Sequence, residues 1–499
     1  MKTRTFVKTA LALTAATMFS LPAWATINMD TDVVVVGAGA SGMAASVQAA
    51  QLGAKVVTLE KQAKNGGTGN FAEGIFACES SLQHRQGIIV TKEEAFKTIM
   101  DYSHWKANAP LVSAFVNKSA STIDWLKDLG VTFEYIGPGG PGGVLTWHVI
   151  NGHSKAMIKT FTEQFDKMGG KLLLKTAGHE LIVENGKVVG VKGKTKDGEE
   201  VIIHAKAVII STGGYANNKE MMEKYSPYPD MAFIGQIGKD GDGIQMAWKA
   251  GAAEEGIGVM QSYRPGLPGY APNNQMIAAA VQPYFWVDPK GIRYTDESSV
   301  VLWPYAGNAL ERLGGKAFSI YDETTKNMFI DKGIHMPLGE WVIAGTKLTK
   351  LPEELDKAIA KGDVVKANTI AELAKKLGMD PKVLQASVDK NNQMAAAHED
   401  PEYYKKAVYL RAVAKAPYYA TRLQPRALGT LGGVKINEHT QAISKATGEP
   451  IDGLFVTGND AGGMYGDSYD LMLGGGTLGF AVNSGRIAAE SAVANYVKK

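Results

Sequence analysis

Four consecutive β-branched residues, Val33 to Val36, have the pattern of a strand covered on both faces of a parallel sheet. An alanine-rich stretch over residues 43–52 stops at Gly53, and residues 55–59 read again as a strand, Lys55 followed by the largely β-branched Val56-Val57-Thr58-Leu59. Residues 31–60 therefore predict a strand, helix, strand unit. Residues 110–129 carry Leu111, Phe115, Ile123 and Leu126 at helical spacing and end at Gly130. From Lys171 the pattern turns to strands, predicted at 171–175, 179–183, 188–194, 201–204 and 208–210, with Asn185-Gly186 and Asp197-Gly198 as turns. Amphipathic helices are predicted at 370–377 and 381–394, a buried strand around Leu454 to Val456, and a last helix from the glycine run at 474–476 through Ala489. The Gly-Pro-rich residues 137–143 predict a loop that delivers Trp147, His148 and His153 to whatever it covers.

This order of elements predicts an α/β fold. The first and last segments both read as buried strand and glycine-rich turn, whereas residues between about 258 and 429 are richer in aromatics, prolines and long helices. A second domain inserted into the first accounts for that arrangement. The expected parts are a signal peptide at 1–25, a nucleotide-binding domain over 26–258 and 430–499, and a capping, substrate-binding domain over 259–429.

The turn between the first strand and helix carries Gly37, Gly39 and Gly42 as G-x-G-x-x-G, with Glu60 closing the second strand. In a dinucleotide-binding unit the first glycine makes the tight turn, the second admits a pyrophosphate and the third packs helix on sheet. The helix N-terminus then faces the phosphates, and the acidic residue accepts hydrogen bonds from ribose hydroxyls. A second glycine loop, Asn65 to Asn70, suggests a ligand longer than a mononucleotide, and Ser211-Thr-Gly-Gly214 marks another close backbone approach.

Composition narrows the class. With 45% hydrophobic and 21% charged residues in 499, the chain is a globular protein with room for two domains. Lys2, Arg4 and Lys8 precede an apolar stretch and Ala23-Trp24-Ala25, the pattern of a cleavable leader for general secretion to the periplasm. Without those three cations, 53 Lys and Arg against 50 Asp and Glu become balanced, so nucleic acid is not an expected partner. Cys78 is the single cysteine, which leaves no C-x-x-C-H haem attachment and predicts a small buried hydrophobe at that position.

Gly37-Ala-Gly-Ala-Ser-Gly42 with Glu60, Asn65-Gly-Gly-Thr68, Ser211-Thr-Gly-Gly214, Gly291-Ile-Arg-Tyr-Thr-Asp-Glu297 and Gly453 to Asp460 resemble the FAD-dependent flavoproteins of the fumarate reductase and succinate dehydrogenase superfamily. The soluble exported branch is nearest, with flavocytochrome c, urocanate reductase, methacrylate reductase and, further off, 3-ketosteroid Δ1-dehydrogenase. The resemblance implies a Rossmann-type FAD-binding domain with an inserted α+β capping domain. It implies FAD contacts from Gly37, Gly39, Ala40, Ser41, Gly42, Glu60, Lys61, Gly66, Gly67, Thr68, Gly74, Thr212, Gly213, Gly214, Gly458, Asn459, Asp460, Gly475, Gly476, Thr477 and Leu478.

Fumarate-type members protonate the substrate with an arginine and clamp its carboxylates with further arginines and a histidine. This chain has Val301 where the proton-delivering arginine is expected and Met472 where a clamping arginine is expected, and no histidine precedes Thr430-Leu-Gly-Gly433. The expectation is thus reduction of an activated C=C bond in an enoate or an aryl or cyclic enone, as a terminal reductase of anaerobic respiration. Tyr465, Tyr469, Arg264, Arg426 and His148 are the candidate catalytic residues, while Arg293 and Glu297 are read as structural. Ketosteroid-type desaturation of a cyclic ketone is the alternative, and a non-catalytic flavin-binding protein the remote one. With no haem motif, the expected electron source is a separate c-type cytochrome or a quinol-linked, transiently membrane-associated partner.

Overall fold

The computed structural model describes residues 26–498 apart from 141, 229, 236, 272 and 339–341; the leader expected over 1–25 lies outside the described residues. The described residues enter β1 (Ile27–Val36), turn into α1 (Ala40–Gln51) and return as β2 (Val56–Glu60). β1 pairs in parallel with β2 on one edge and with the strand Glu200–Ile210 on the other. That central place explains the β-branched run, since Val33, Val34 and Val35 are wholly buried.

The same sheet continues in parallel to Lys171–Leu174 beyond β2 and to Pro450–Val456 beyond Glu200–Ile210. Both ends of the chain therefore build one eight-stranded sheet. The C-terminal helix Gly476–Ala492 packs on α1, closely enough that a Cβ on Gly485 would stand 2.3 Å from the Ser41 carbonyl. Asn185 and Gly186 both have positive φ, 51° and 80°, in the turn joining Glu184 to Lys187, as a two-residue hairpin of the observed twist requires.

Two predicted boundaries move. Residues 201–204 and 208–210 belong to one strand, because pairing with β1 runs unbroken in direction from Ile27↔Val201 to Val36↔Ile210 and holds Ala205 and Ala207 in place. The loop expected from residue 137 starts later, since the strand Phe133–Pro138 includes Gly137 and Pro138. It is an edge strand of a three-stranded antiparallel sheet with Leu145–Ile150 and Gly74–Phe76, and an edge tolerates a proline that donates no hydrogen bond.

A six-stranded sheet is organised around Tyr418–Thr430, which pairs with Ala232–Phe233, Met260–Gly266, Ala317–Asp322 and Val364–Ala367. The helices Ile370–Leu377 and Pro381–Ala397 begin at Thr369 and Asp380, whose side chains accept from backbone N–H groups of the first turn. Arg293 lies in a buried ionic cluster, 2.9 Å from Glu297 and 2.6 Å from Asp400, and Lys405 stands 2.9 Å from the same Glu297 carboxylate. Removing one member of such a cluster strands the other charges out of water. We expect Glu297→Ala to cost about 3–5 kcal/mol of stability, read as a lower denaturation midpoint. An unchanged midpoint would show that the cluster holds nothing together.

Candidate active site

A cavity of about 1130 Å³ opens at the carboxyl ends of β1, β2 and Glu200–Ile210, and residues of the second sheet form its other wall. Ligands of open α/β sheets bind at such strand ends. Gly37, Gly39, Ala40 and Ser41 line it from the first turn, Glu60 and Lys61 from the end of β2, and Gly67, Thr68 and Gly74 from the following segment. Thr212, Gly213, Gly458, Asn459, Gly475, Thr477 and Leu478 line it from the later turns.

The glycines have different reasons. Gly37 has φ +101°, and a Cβ there would lie 2.3 Å from the Ser211 carbonyl. A Cβ on Gly39 would find nothing nearer than 4.0 Å, because that position faces the open cavity. α1 and Gly476–Ala492 both start at the cavity without a side-chain cap, so their first-turn N–H groups remain available to a ligand. Glu60 is fixed as an acceptor by the backbone N–H groups of Ala38 (3.0 Å) and Gln62 (2.8 Å). Lys61 is paired with Asp240 and Asp242 at 2.7 and 2.6 Å.

The remaining expected nucleotide contacts stand behind the wall. Gly42 packs against the turn itself, where a Cβ would meet the Gly37 carbonyl at 1.8 Å. Gly66 donates to the Ala38 carbonyl and bridges Gly39. Asp460 is buried and accepts from the backbone N–H groups of Thr212, Gly213 and Gly214, tying two turns together. Gly214 abuts Thr430, and Gly476 does not reach the lining.

Of the candidate catalytic residues, Arg264 and Tyr469 line the cavity; Tyr465, Arg426 and His148 do not. Arg264 is 4% exposed. It donates to the Tyr263 hydroxyl at 2.7 Å and lies 4.5 Å over the Trp303 ring, and the negative charge of Glu73, which lines the same cavity, favours its charged form. Burial lowers its pKa. Tyr469 sits among Thr477, Gln261 and the edge of Tyr465, and burial pushes its hydroxyl pKa up. Tyr465 packs between Tyr469 and Phe480, and its buried hydroxyl has no partner among the described residues.

Arg426 is held away from the cavity because its guanidinium lies across Gly266, donating to the Tyr270 carbonyl at 3.4 Å. Burial brings its pKa down to about 10. His148 points to the opposite side of its strand from Trp147, as alternation requires. Trp147 lines the cavity, while His148 is enclosed between Ser80 Oγ (2.7 Å) and the Thr146 carbonyl (2.9 Å). Burial lowers its pKa to about 4, so it stays neutral at physiological pH. His153 is the first residue of its own helix, outside the lining.

Several lining residues carried no legible signal in the sequence: Lys239, Gln261, Tyr263 and Trp303. The Q-S-Y-R run at 261–264 marked Arg264, and strand alternation alone does not show that Tyr263 also faces the cavity. Val301, the replacement for the expected arginine, does line it.

Comparison with known proteins places the chain in a family. Residues 32–477 match the FAD binding domain family. The chain is 37% identical over 469 residues to the vinyl phenol reductase of Lactiplantibacillus plantarum, covering 91% of this chain and 94% of that one. It is 28% identical to the NADH:acrylate oxidoreductase of Vibrio harveyi over 94% of its own length, spanning about half, 51%, of that larger protein. The open conformation of a flavocytochrome c3 fumarate reductase superposes with a TM-score of 0.72 at 26% identity, covering 94% of this chain and 79% of that chain.

Proposed function

This chain belongs to the FAD-binding-domain flavoproteins of the fumarate reductase family and is an FAD-dependent oxidoreductase acting on C=C bonds, and from that premise we propose that it reduces the side-chain double bond of an aromatic substrate bearing a phenolic or conjugated carbonyl oxygen. The residues present fit the cofactor: Gly39 offers room for a pyrophosphate, two uncapped helix N-termini face the cavity, and Glu60 presents a fixed acceptor. Reduced FAD supplies the hydride.

The observation that carries the reading is Arg264 stacked on Trp303 and bonded to Tyr263 in a wall that also contains Val301. One guanidinium beside aromatic planes suits a flat molecule with one oxygen to hold, and Val301 offers no second carboxylate a partner. Arg264 hydrogen-bonds the substrate oxygen as negative charge builds on it, and a dry site makes the interaction strong. That charge builds on a conjugated carbonyl when hydride adds to the alkene, and on a phenolic oxygen when hydride adds to the quinone methide left by protonating the alkene of the phenolate. The Tyr469 hydroxyl orients the same substrate, and Tyr465 supports Tyr469 from behind. The similarity to a vinyl phenol reductase supports the aromatic assignment.

Holoenzyme supplied with dithionite-reduced methyl viologen should oxidise the dye with 4-vinylphenol or hydroxycinnamates, and with fumarate at a kcat/KM at least about tenfold lower, the scale of one lost charge pair. No turnover of any aromatic alkene would defeat the reading. Desaturation of a ketosteroid with an artificial acceptor would favour the reverse chemistry.

The same proposal includes export by residues 1–25 and electrons from a separate c-type cytochrome or quinol-linked donor at the periplasmic face. Among the described residues no helix is long and apolar enough to cross a membrane. Residues 259–429 are proposed to close over the substrate as a cap. Reduced periplasmic cytochrome should be reoxidised on adding enzyme and substrate; rapid turnover with NADH alone would overturn the donor assignment.

A further inference from the structure

We propose that Lys239 is the general acid, donating the proton that completes reduction of the double bond. The inference rests on the reading of the chain as a reductase of aromatic alkenes. Gly429 stands directly before Thr430-Leu-Gly-Gly433 and follows Leu428, which lines the cavity. A Cβ built on Gly429 would lie 3.4 Å from Lys239 Nζ, 3.1 Å from Asn459 Nδ2 and 3.9 Å from Gln261 Oε1. An amine arriving from a different loop thus meets the backbone at residue 429 at contact distance, beside Asn459 and Gln261 of the cavity wall.

Lys239 is held there by both ends. Its backbone N–H donates to Asn217 Oδ1 at 3.0 Å and its carbonyl accepts from the Asn217 N–H at 2.8 Å, while Nζ donates to the Leu428 carbonyl at 2.8 Å. The side chain lines the cavity and is 7% exposed as a residue. No carboxylate among the described residues lies within 4.0 Å of Nζ, in contrast to neighbouring Lys61, which is tied to Asp240 and Asp242. A single hydrogen bond to a carbonyl leaves two ammonium protons free for other acceptors.

Burial alone brings the Lys239 pKa down to about 8, near the range in which a proton donor works best at neutral pH. The buried arginines stay far less willing to release a proton, as Arg426 at about 10 illustrates. In the balanced step, hydride from reduced flavin forms one new C–H bond as the π bond breaks, and one N–H bond of Lys239 breaks to form the other. The resulting neutral amine keeps its Leu428 contact and recovers a proton from water. Arg264 remains charged throughout as the anchor.

The test compares wild type with Lys239→Met and Lys239→Gln as flavin-loaded enzymes on whichever alkene wild type reduces. Failure of wild type on every aromatic alkene refutes the substrate reading; the Lys239 inference is judged only from the ratio of variant to wild type on an accepted substrate. We expect kcat at pH 7 to fall on the order of a hundredfold, in the range for loss of a general acid, with KM within about threefold and flavin content unchanged. Wild-type kcat should decline as pH rises through about 8, where the ammonium deprotonates, and that limb should vanish in both variants. n-Butylamine, which carries the same carbon stem and ammonium that the substitution removes, should restore part of the rate to a Lys239→Gly enzyme. A variant within threefold of wild type, an alkaline limb that persists in Lys239→Met, or variants that purify without flavin would each overturn the assignment.

Discussion

Gly39→Val should purify as a folded, colourless protein. The substitution costs the backbone nothing, because Gly39 has φ −73° and ψ −168°, extended values open to any residue. Nothing of the protein stands in the way either, the nearest atom to a Cβ being the Gly66 carbonyl at 4.0 Å. The branched side chain instead fills the cavity beside Ala40 and Ser41, at the uncapped start of α1. A pyrophosphate there would lose both its room and its N–H donors. Flavin retained through gel filtration should fall below about a tenth of wild type, and more than 1.4 kcal/mol of lost affinity suffices for that.

The neighbouring glycine gives the control. Gly42→Ala drives a methyl group to 1.8 Å from the Gly37 carbonyl, so it should lower the denaturation midpoint of the apoprotein, whereas Gly39→Val should leave that midpoint near wild type. A Gly39→Val protein that stays fully yellow would refute the phosphate-cradle assignment.

These two glycines also show what was legible in the sequence. The β1, α1, β2 unit combines a local apolar pattern with a local turn, so both its fold and the separate tasks of Gly37, Gly39 and Gly42 can be read along a few residues. The Asn185-Gly186 hairpin is equally local. The substrate wall is not. Arg426 shares a strand face with cavity-lining Leu428 by the two-residue period, but the room left by Gly266 on the adjacent strand lets its guanidinium lie elsewhere. His148 adjoins Trp147 in sequence and faces the other way. Lys239 is placed in the site by its bond to the Leu428 carbonyl, a relation between two segments that no periodicity encodes. Positions set by long-range packing were hidden for that reason, whereas the absence of the expected arginine at Val301 was visible and is a feature of the cavity wall.

Arg264→Met should abolish most turnover while making the substrate-free protein more stable. A guanidinium 4% exposed with its Nε unpartnered has given up water without full compensation, and burial lowers its pKa despite the favourable charge of Glu73. The Tyr263 hydroxyl and the Trp303 face return only part of it. Methionine keeps much of the volume and removes the charge, and replacing an incompletely compensated buried ion by an apolar side chain stabilises by roughly 1 kcal/mol. The charge serves a ligand: an anionic or phenolic oxygen completes the compensation and gains most where negative charge grows during hydride addition. Loss of that donor should lower kcat/KM on the order of a thousandfold, with flavin content intact because the nucleotide contacts lie on the other sheet. The two signs separate the roles, since a structural arginine would lose stability and keep turnover. A thermal melt of the flavin-loaded variant beside its steady-state kinetics decides between them.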